Sequence, residues 1–174
     1  MKTEFEKKLK EQSFSYQCHT DGVYFLSQNN DTNSILNVQL ILSEPVDEVI
    51  HGSRNNNETQ AIGYFKLRLP ARNNPPKFLI LAFQNTSKHC VEFIIIPPQE
   101  LKKRLVESNR ISVVNNKVAL LFWLMSDGCI YDCTNISVEG EWYYLSKGLN
   151  GRMADGTEWD YADYLNNWDR LKMI

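Results

Sequence analysis

The stretch Phe78-Leu-Ile-Leu-Ala-Phe83 is a continuous apolar run, and a second run, Val91-Glu-Phe-Ile-Ile-Ile96, follows it after a short polar segment. Runs of this length are typical of strands that are buried on both faces. The two runs therefore predict a pair of fully buried strands. Pro97-Pro98 comes directly after them and predicts a helix to about Ser108, since proline is tolerated in the first turn of a helix.

The segments on either side of this pair have the alternation or the turn residues of further strands. Strands are predicted over Phe14–Cys18 and Val23–Leu26 (a hairpin turning at Asp21-Gly22), Ile35–Leu42, Ile62–Leu69, Val118–Met125 and Ile130–Thr134 (a hairpin turning at Asp127-Gly128), and Glu141–Leu145. Apolar residues at helical spacing predict two more helices, over Thr3–Gln12 and Thr157–Leu171.

Length and composition set the fold class. The chain has 174 residues, of which 43% are hydrophobic and 23% charged, which suits one globular domain spanning residues 1–174. Because the strands come as a block and do not alternate with helices, the order favours an α+β fold. We expect a mixed, mainly antiparallel sheet flanked by N-terminal, middle and C-terminal helices.

Charge and hydropathy bear on partners and location. Nineteen Lys and Arg face 21 Asp and Glu, for a net charge of −2, so a basic surface over the whole chain is excluded, although a local basic face is not. The charged segment Met1–Lys8 does not resemble a secretory signal, and the longest apolar run, Val118–Met125, is too short to span a bilayer. We expect a cytoplasmic protein without a membrane segment, and the oligomeric state stays open.

Cysteine and histidine suggest a metal site or a nucleophile only at first sight. Cys18-His19 and His89-Cys90 are adjacent pairs, but Cys129 and Cys133 lie four apart in a predicted strand, with Cα atoms about 13 Å apart. One zinc tetrahedron does not take both without a bend, and no local signature marks a catalytic Cys–His pair. We predict reduced cysteines and no bound metal or other cofactor.

Three consecutive segments and the C-terminal segment resemble a known superfamily. They are Thr59-Gln-Ala-Ile-Gly-Tyr-Phe-Lys-Leu-Arg-Leu69, Pro76-Lys-Phe-Leu-Ile-Leu-Ala-Phe83, Glu92-Phe-Ile-Ile-Ile-Pro-Pro-Gln-Glu-Leu-Lys-Lys-Arg-Leu105 and Tyr164-Leu-Asn-Asn-Trp-Asp-Arg-Leu171. The pattern resembles small bacterial proteins of the restriction-endonuclease-like, or PD-(D/E)XK, superfamily. The resemblance covers residues 59 to 108 and the last dozen residues.

The resemblance implies a site in which two acids hold a divalent metal ion and a lysine positions the attacking water. Lys66 falls where that lysine stands in the family. The position two residues earlier, where the family has an acid, is Tyr64, and a phenol is a poor Mg²⁺ ligand. A degenerate, non-cleaving version is therefore expected, with Mg²⁺ a cofactor only if the chain is an active nuclease, so whether it is an enzyme stays open.

Candidates for the acids lie upstream of Lys66. The catalytic set that we predict is Lys66 with Asp21 and Glu58. Gln60 shares the strand face of Lys66, and other candidates for the first acid or for an assisting carboxylate are Asp47, Glu48, Glu4 and Glu6.

The function that the resemblance implies is association with nucleic acid, in a setting of bacterial defence. Contacts to the phosphate backbone are expected from basic residues near the core that the resemblance implies. These residues are Lys66, Arg68, Arg72, Lys102, Lys103 and Arg104. The simpler interpretation makes Lys66 and Arg68 the solvated face of an edge strand.

The C-terminal third offers an alternative function. All four tryptophans lie there, around a loop with three glycines, and such a region can form a protein-binding surface. The alternative is a non-enzymatic interaction module that uses region 142–168. Its predicted partner-binding residues are Trp142, Arg152, Asp155 and Trp159. More often, such aromatic residues simply pack a terminal helix onto a sheet.

Overall fold

A computed structural model describes residues 1–19, 22–28, 31–45, 59–68, 75–107, 117–126, 128, 130–132 and 161–172, with the backbone alone at 31–33, 59, 68, 106–107, 117 and 131–132. These described residues form two α-helices, eight strands and two short 3-10 helices. They are α1 (Lys2–Glu11), β1 (Phe14–Cys18), β2 (Val23–Gln28), β3 (Asp31–Leu42), β4 (Thr59–Arg68), β5 (Phe78–Asn85), β6 (Cys90–Ile96), α2 (Pro98–Glu107), β7 (Lys117–Met125), β8 (Ile130–Asp132), and the 3-10 helices Ala162–Tyr164 and Trp168–Lys172.

The described strands form two sheets, where the sequence predicted one. The five-stranded sheet has the order β1-β2-β3-β5-β6, and only its β3–β5 pair is parallel. The three-stranded sheet, β4-β7-β8, is antiparallel. Both predicted hairpins, β1–β2 and β7–β8, are confirmed, and so is the α+β class with a mostly antiparallel, mixed sheet.

The two apolar runs are β5 and β6, and both faces of β5 are covered. Its residues Leu79, Leu81 and Phe83 face one core, while Phe78 and Ile80 face another. The prediction of strands buried on both faces is confirmed, because continuous apolar sequence is what a strand between two cores requires.

Each core lies on one side of the five-stranded sheet. The first core fills the space between β5–β6, the three-stranded sheet and α2, with Leu101 and Leu105 of the helix fully buried. Pro97 accepts hydrogen bonds from the amides of Glu100 and Leu101, so α2 begins where the proline pair predicts. The second core lies under α1, whose Phe5 and Leu9 are buried as their spacing predicts.

The C-terminal α-helix is the part of the predicted fold that is wrong over the described residues. Residues 161–172 form two 3-10 turns joined by extended Leu165, which makes a β-bridge with Ile94 of β6. Asn166 follows with a positive φ of 51° and exchanges backbone and side-chain hydrogen bonds with Phe93. Pairing to the edge of β6 replaces the helical hydrogen bonds here.

A polar cluster around the buried Glu92 carboxylate holds this segment against the sheet. The Glu92 carboxylate accepts hydrogen bonds from Asn85 Nδ2 at 2.9 Å, from Asn166 Nδ2 at 2.5 Å and from the Cys90 thiol at 3.5 Å. Glu92 is 6% exposed and Asn85 is fully buried. A buried carboxylate is tolerated where hydrogen-bond donors surround it. Burial, followed by the neighbouring Glu92, raises the pKa of the Cys90 thiol, which keeps it a donor.

Gly22 permits the turn between β1 and β2. Its φ is +75°, and a Cβ atom there would lie 2.6 Å from the backbone oxygen of Leu40. Gly22→Ala is therefore expected to destabilise the protein by about 2 kcal/mol, since the backbone must shift as well as take a strained conformation. Urea unfolding checks this. Gly128 also has a positive φ but open space around it, so Gly128→Ala should cost clearly less; equal losses would contradict the contact argument.

Candidate functional site

Strand β4 carries the lysine on which the sequence analysis centres. It is an edge strand of the three-stranded sheet, paired to β7 along its length. Phe65 and Leu67 are buried in the first core, whereas Tyr64 is half-buried and Lys66 exposed on the opposite face. The alternation predicts this division, with one apolar face and one amphipathic face.

The end of β3 meets the free edge of β4 at this point. The Glu44 amide donates to the Tyr64 carbonyl at 2.7 Å, and the Tyr64 amide donates to Ser43 Oγ at 3.0 Å. This isolated antiparallel bridge connects the two sheets and fixes Glu44 beside Tyr64. Pro45 follows, and proline has no amide hydrogen to extend the ladder.

Lys66 and Glu44 form an ion pair across this junction. The Lys66 ammonium donates to Glu44 Oε2 at 2.6 Å and lies 5.4 Å from the centre of the Tyr64 ring. Both partners are open to solvent, with 61% and 41% of their side chains exposed. The hydrogen bond to Glu44 raises the pKa of Lys66, so its positive charge is secure. The cluster Ser43, Glu44, Tyr64 and Lys66 is called the junction site below.

The donors of the junction site do not fit a divalent metal ion. Mg²⁺ is held by carboxylate and water oxygens, whereas this site offers one carboxylate, already paired with an ammonium, and a phenol. Over the described ranges, no three His, Cys, Asp or Glu side chains come together in a way that could hold a metal. The described side chains can instead present one paired cation to an anionic partner.

Only some of the predicted acids lie within the described residues. Asp21, Glu58, Asp47 and Glu48 lie outside the described residues, and their roles stay predictions. Gln60 is half-buried and lies at a β-bulge of β4, between Thr59 and Ala61, so the alternation that predicts its face is interrupted there.

Glu4 and Glu6 are not brought to Lys66. They lie on α1, on the other side of the five-stranded sheet, where Glu4 pairs with Lys7 and Glu6 accepts a hydrogen bond from Tyr24.

The predicted basic residues do not all lie at the junction site. Lys102 and Lys103 are exposed on α2, while the Arg104 guanidinium stacks on the rings of Tyr161 and Tyr164, at 4.8 and 5.0 Å. For Arg68 the backbone alone is described, and Arg72 lies outside the described residues.

The described cysteines and histidines form no Cys–His pair in which thiol and imidazole meet. Cys18 and Cys90 are free thiols, and Cys18 donates to the backbone oxygen of His19. The His19 ring packs edge-on against Phe25. Cys129 and Cys133 lie outside the described residues.

The predicted partner-binding residues Trp142, Arg152, Asp155 and Trp159 also lie outside the described part of the chain, so that surface stays a prediction. The described end of the same region packs inward, with Tyr164 and Trp168 buried.

Glu44 is the site residue that sequence reasoning missed. It was passed over because it ends a strand and lies 22 residues before Lys66. The signal that could have found it is an acid directly before the proline that stops β3, since β3 continues toward the strand that carries the lysine.

Comparisons with known proteins leave the family open. No protein-family model matches the chain, and neither a curated protein nor a solved structure matches it. Among the described helices, none is long and apolar enough to cross a membrane.

Proposed function

We propose that this chain is a nucleic-acid-associated protein whose restriction-endonuclease-like core binds the phosphate backbone without cleaving it. One observation carries the proposal. Among the described residues, a single carboxylate, that of Glu44, lies against Lys66 on the exposed face of β4, and Tyr64 occupies the position at which a second acid would be needed. A setting in bacterial defence belongs to the proposal through the resemblance alone.

The electrostatics of the junction site suit contact with a backbone phosphate. Lys66 is exposed and firmly protonated, so it can neutralise a phosphate and release a counterion. Glu44 competes for the same ammonium. The negative charge of Glu44 is therefore expected to oppose phosphate binding. Substitutions of Lys66 and of Glu44 should change the affinity in opposite directions.

Binding is tested with a fluorescein-labelled DNA duplex of about 20 base pairs, by anisotropy over a salt series. Lys66→Ala is expected to weaken binding and to reduce the slope of log K against log salt by about 0.9, the contribution of one phosphate contact. Glu44→Gln is expected to tighten binding, because it removes the carboxylate that holds Lys66.

Lys10→Ala is the matched control, since that exposed lysine lies on α1, behind the five-stranded sheet. Flat, weak binding by the wild type even at low salt would refute contact of the junction site with a duplex backbone. A loss of affinity in both Lys66→Ala and Glu44→Gln would show that the ion pair supports the fold and does not oppose phosphate binding.

Absence of cleavage is tested with supercoiled plasmid and Mg²⁺ or Mn²⁺. Wild type and Lys66→Ala are expected to leave the plasmid equally intact, because the junction site has no second carboxylate among the described residues. Metal-dependent nicking that is lost in both Lys66→Ala and Glu44→Gln would show that the chain is an active nuclease.

A further inference from the structure

One half of the five-stranded sheet has a face that the described residues do not cover. The first core covers β5 and β6 on this side, but from β1–β3 it takes in only Ile41, at its margin. The remaining outward side chains are called the open face; they are Ser15, Gln17, Val23, Phe25, Ser27, Ile35, Asn37 and Gln39. All eight are uncharged, and Ile35 is 67% exposed.

One row of side chains crosses this face from strand to strand. Gln17 of β1 lies opposite Phe25 of β2, which lies opposite Asn37 of β3. The Lys77 amide donates to the Asn37 carbonyl at 2.7 Å and so continues the row toward β5. Phe78 faces the second core, so Lys77, one residue earlier, falls on the side of the open face. The row spans about 15 Å at the usual spacing of strands.

The chemistry of the row is an aromatic ring between two amides, with a cation at one end. Phe25 is half-buried and is supported at its edge by the His19 ring, whose centre lies 4.9 Å away. Asn37 Oδ1 is buried and has no hydrogen-bond partner among the described residues. Because a buried atom is out of reach of a ligand, the exposed Gln17 amide is the one that can hydrogen-bond to a ligand on this row. Lys77 is exposed.

We propose that this row binds single-stranded nucleic acid, with a base stacked on Phe25, its edge hydrogen-bonded by Gln17, and a phosphate at Lys77. The inference rests on the proposed association with nucleic acid and specifies that the bound nucleic acid is single-stranded. A ring on an open sheet face suits unpaired bases, because a duplex does not expose base faces. Because the open face is uncharged and the Lys77 ammonium lies at its edge, the face repels neither bases nor phosphates.

The experiment measures anisotropy with fluorescein-labelled 12-nucleotide oligomers of deoxythymidine and of uridine, which separate DNA from RNA. Phe25→Ala is expected to weaken binding by about tenfold or more, as loss of one stacking platform does. Lys77→Gln should lower the salt slope by about 0.7, the value for one phosphate of a single strand. Phe25→Tyr keeps the ring and should keep the affinity.

Ile35→Ala is the control, since it truncates an exposed apolar side chain on the same face outside the row. Circular dichroism confirms that each variant is folded. Crosslinking to an oligomer that carries 5-iodouracil, followed by peptide mapping, should place the base at Phe25.

The outcomes separate the two proposals. If the wild type binds neither duplex nor single strands, the proposed function fails, and this inference fails with it. If the wild type binds nucleic acid but Phe25→Ala binds single strands as well as Ile35→Ala does, only the inference is overturned. A concentration-dependent dimer that Phe25→Ala abolishes, without nucleic-acid binding at this face, would assign the face to a second copy of the chain and also overturn it.

Discussion

Replacing Glu92 by alanine is expected to lower the free energy of unfolding by roughly 1 to 3 kcal/mol, because the fully buried Asn85 amide loses its acceptor and the exposed Asn166 amide loses its link to the sheet. Asn85 and Asn166 both donate to this carboxylate, from β5 and from the C-terminal segment. Each buried donor that is left unpaired costs about 1 to 3 kcal/mol. Urea unfolding followed by tryptophan fluorescence measures the loss.

Two further variants sharpen this result. Glu92→Gln keeps one acceptor oxygen but turns an NH₂ group toward a donor, so its loss should lie between those of wild type and Glu92→Ala. Gln84→Ala, an exposed change on β5 next to Asn85, should stay within about 0.5 kcal/mol of wild type. A loss below about 1 kcal/mol in Glu92→Ala would mean that water replaces the carboxylate and that the cluster does not hold the segment.

Replacing Trp168 by alanine is expected to cost about 3 to 5 kcal/mol, the usual range for removing a large buried aromatic side chain. Trp168 is 7% exposed, and its ring contacts Phe93 and Phe5 at centroid distances of 5.2 and 6.1 Å. For a chain of this length the melting temperature should fall by roughly 10 °C, as calorimetry would show.

Asp169→Ala is the matched control, because the neighbouring side chain is exposed and pairs only with Lys172 at the surface. Its melting temperature should stay within about 2 °C of wild type. If Trp168→Ala had the same melting temperature as Asp169→Ala, the C-terminal segment would not belong to the second core.

The sequence predicts the strands well where burial alone determines them. In β5 and β6 the apolar run continues without polar alternation, and a run of this short length is typical of a strand between two layers. It predicts less well which strands share a sheet. The bridge between Glu44 and Tyr64 and the parallel pairing of β3 with β5 both depend on distant residues, and no local pattern encodes them.

The error in the C-terminal segment has a specific cause. Tyr161, Tyr164, Trp168 and Leu171 are spaced three or four residues apart, which fits an α-helix as well as two 3-10 turns. The two 3-10 turns are selected by the hydrogen bonds of Asn166 to Phe93 and Glu92, which lie more than 70 residues earlier in the sequence. The junction site shows the same limit, since Lys66 was predicted from the family resemblance, whereas the bridge that places Glu44 beside it depends on distant residues.

The stack of Phe5 on Trp168 has a consequence for how the chain folds. The two rings come from α1 and from the last 3-10 helix, so the second core joins residues from opposite ends of the described sequence. A contact between residues so far apart in sequence forms slowly, because the entropy of closing the long loop is lost before the contact stabilises the chain. We therefore expect refolding on the slow side, in milliseconds to seconds, with burial of Trp168 among the last events.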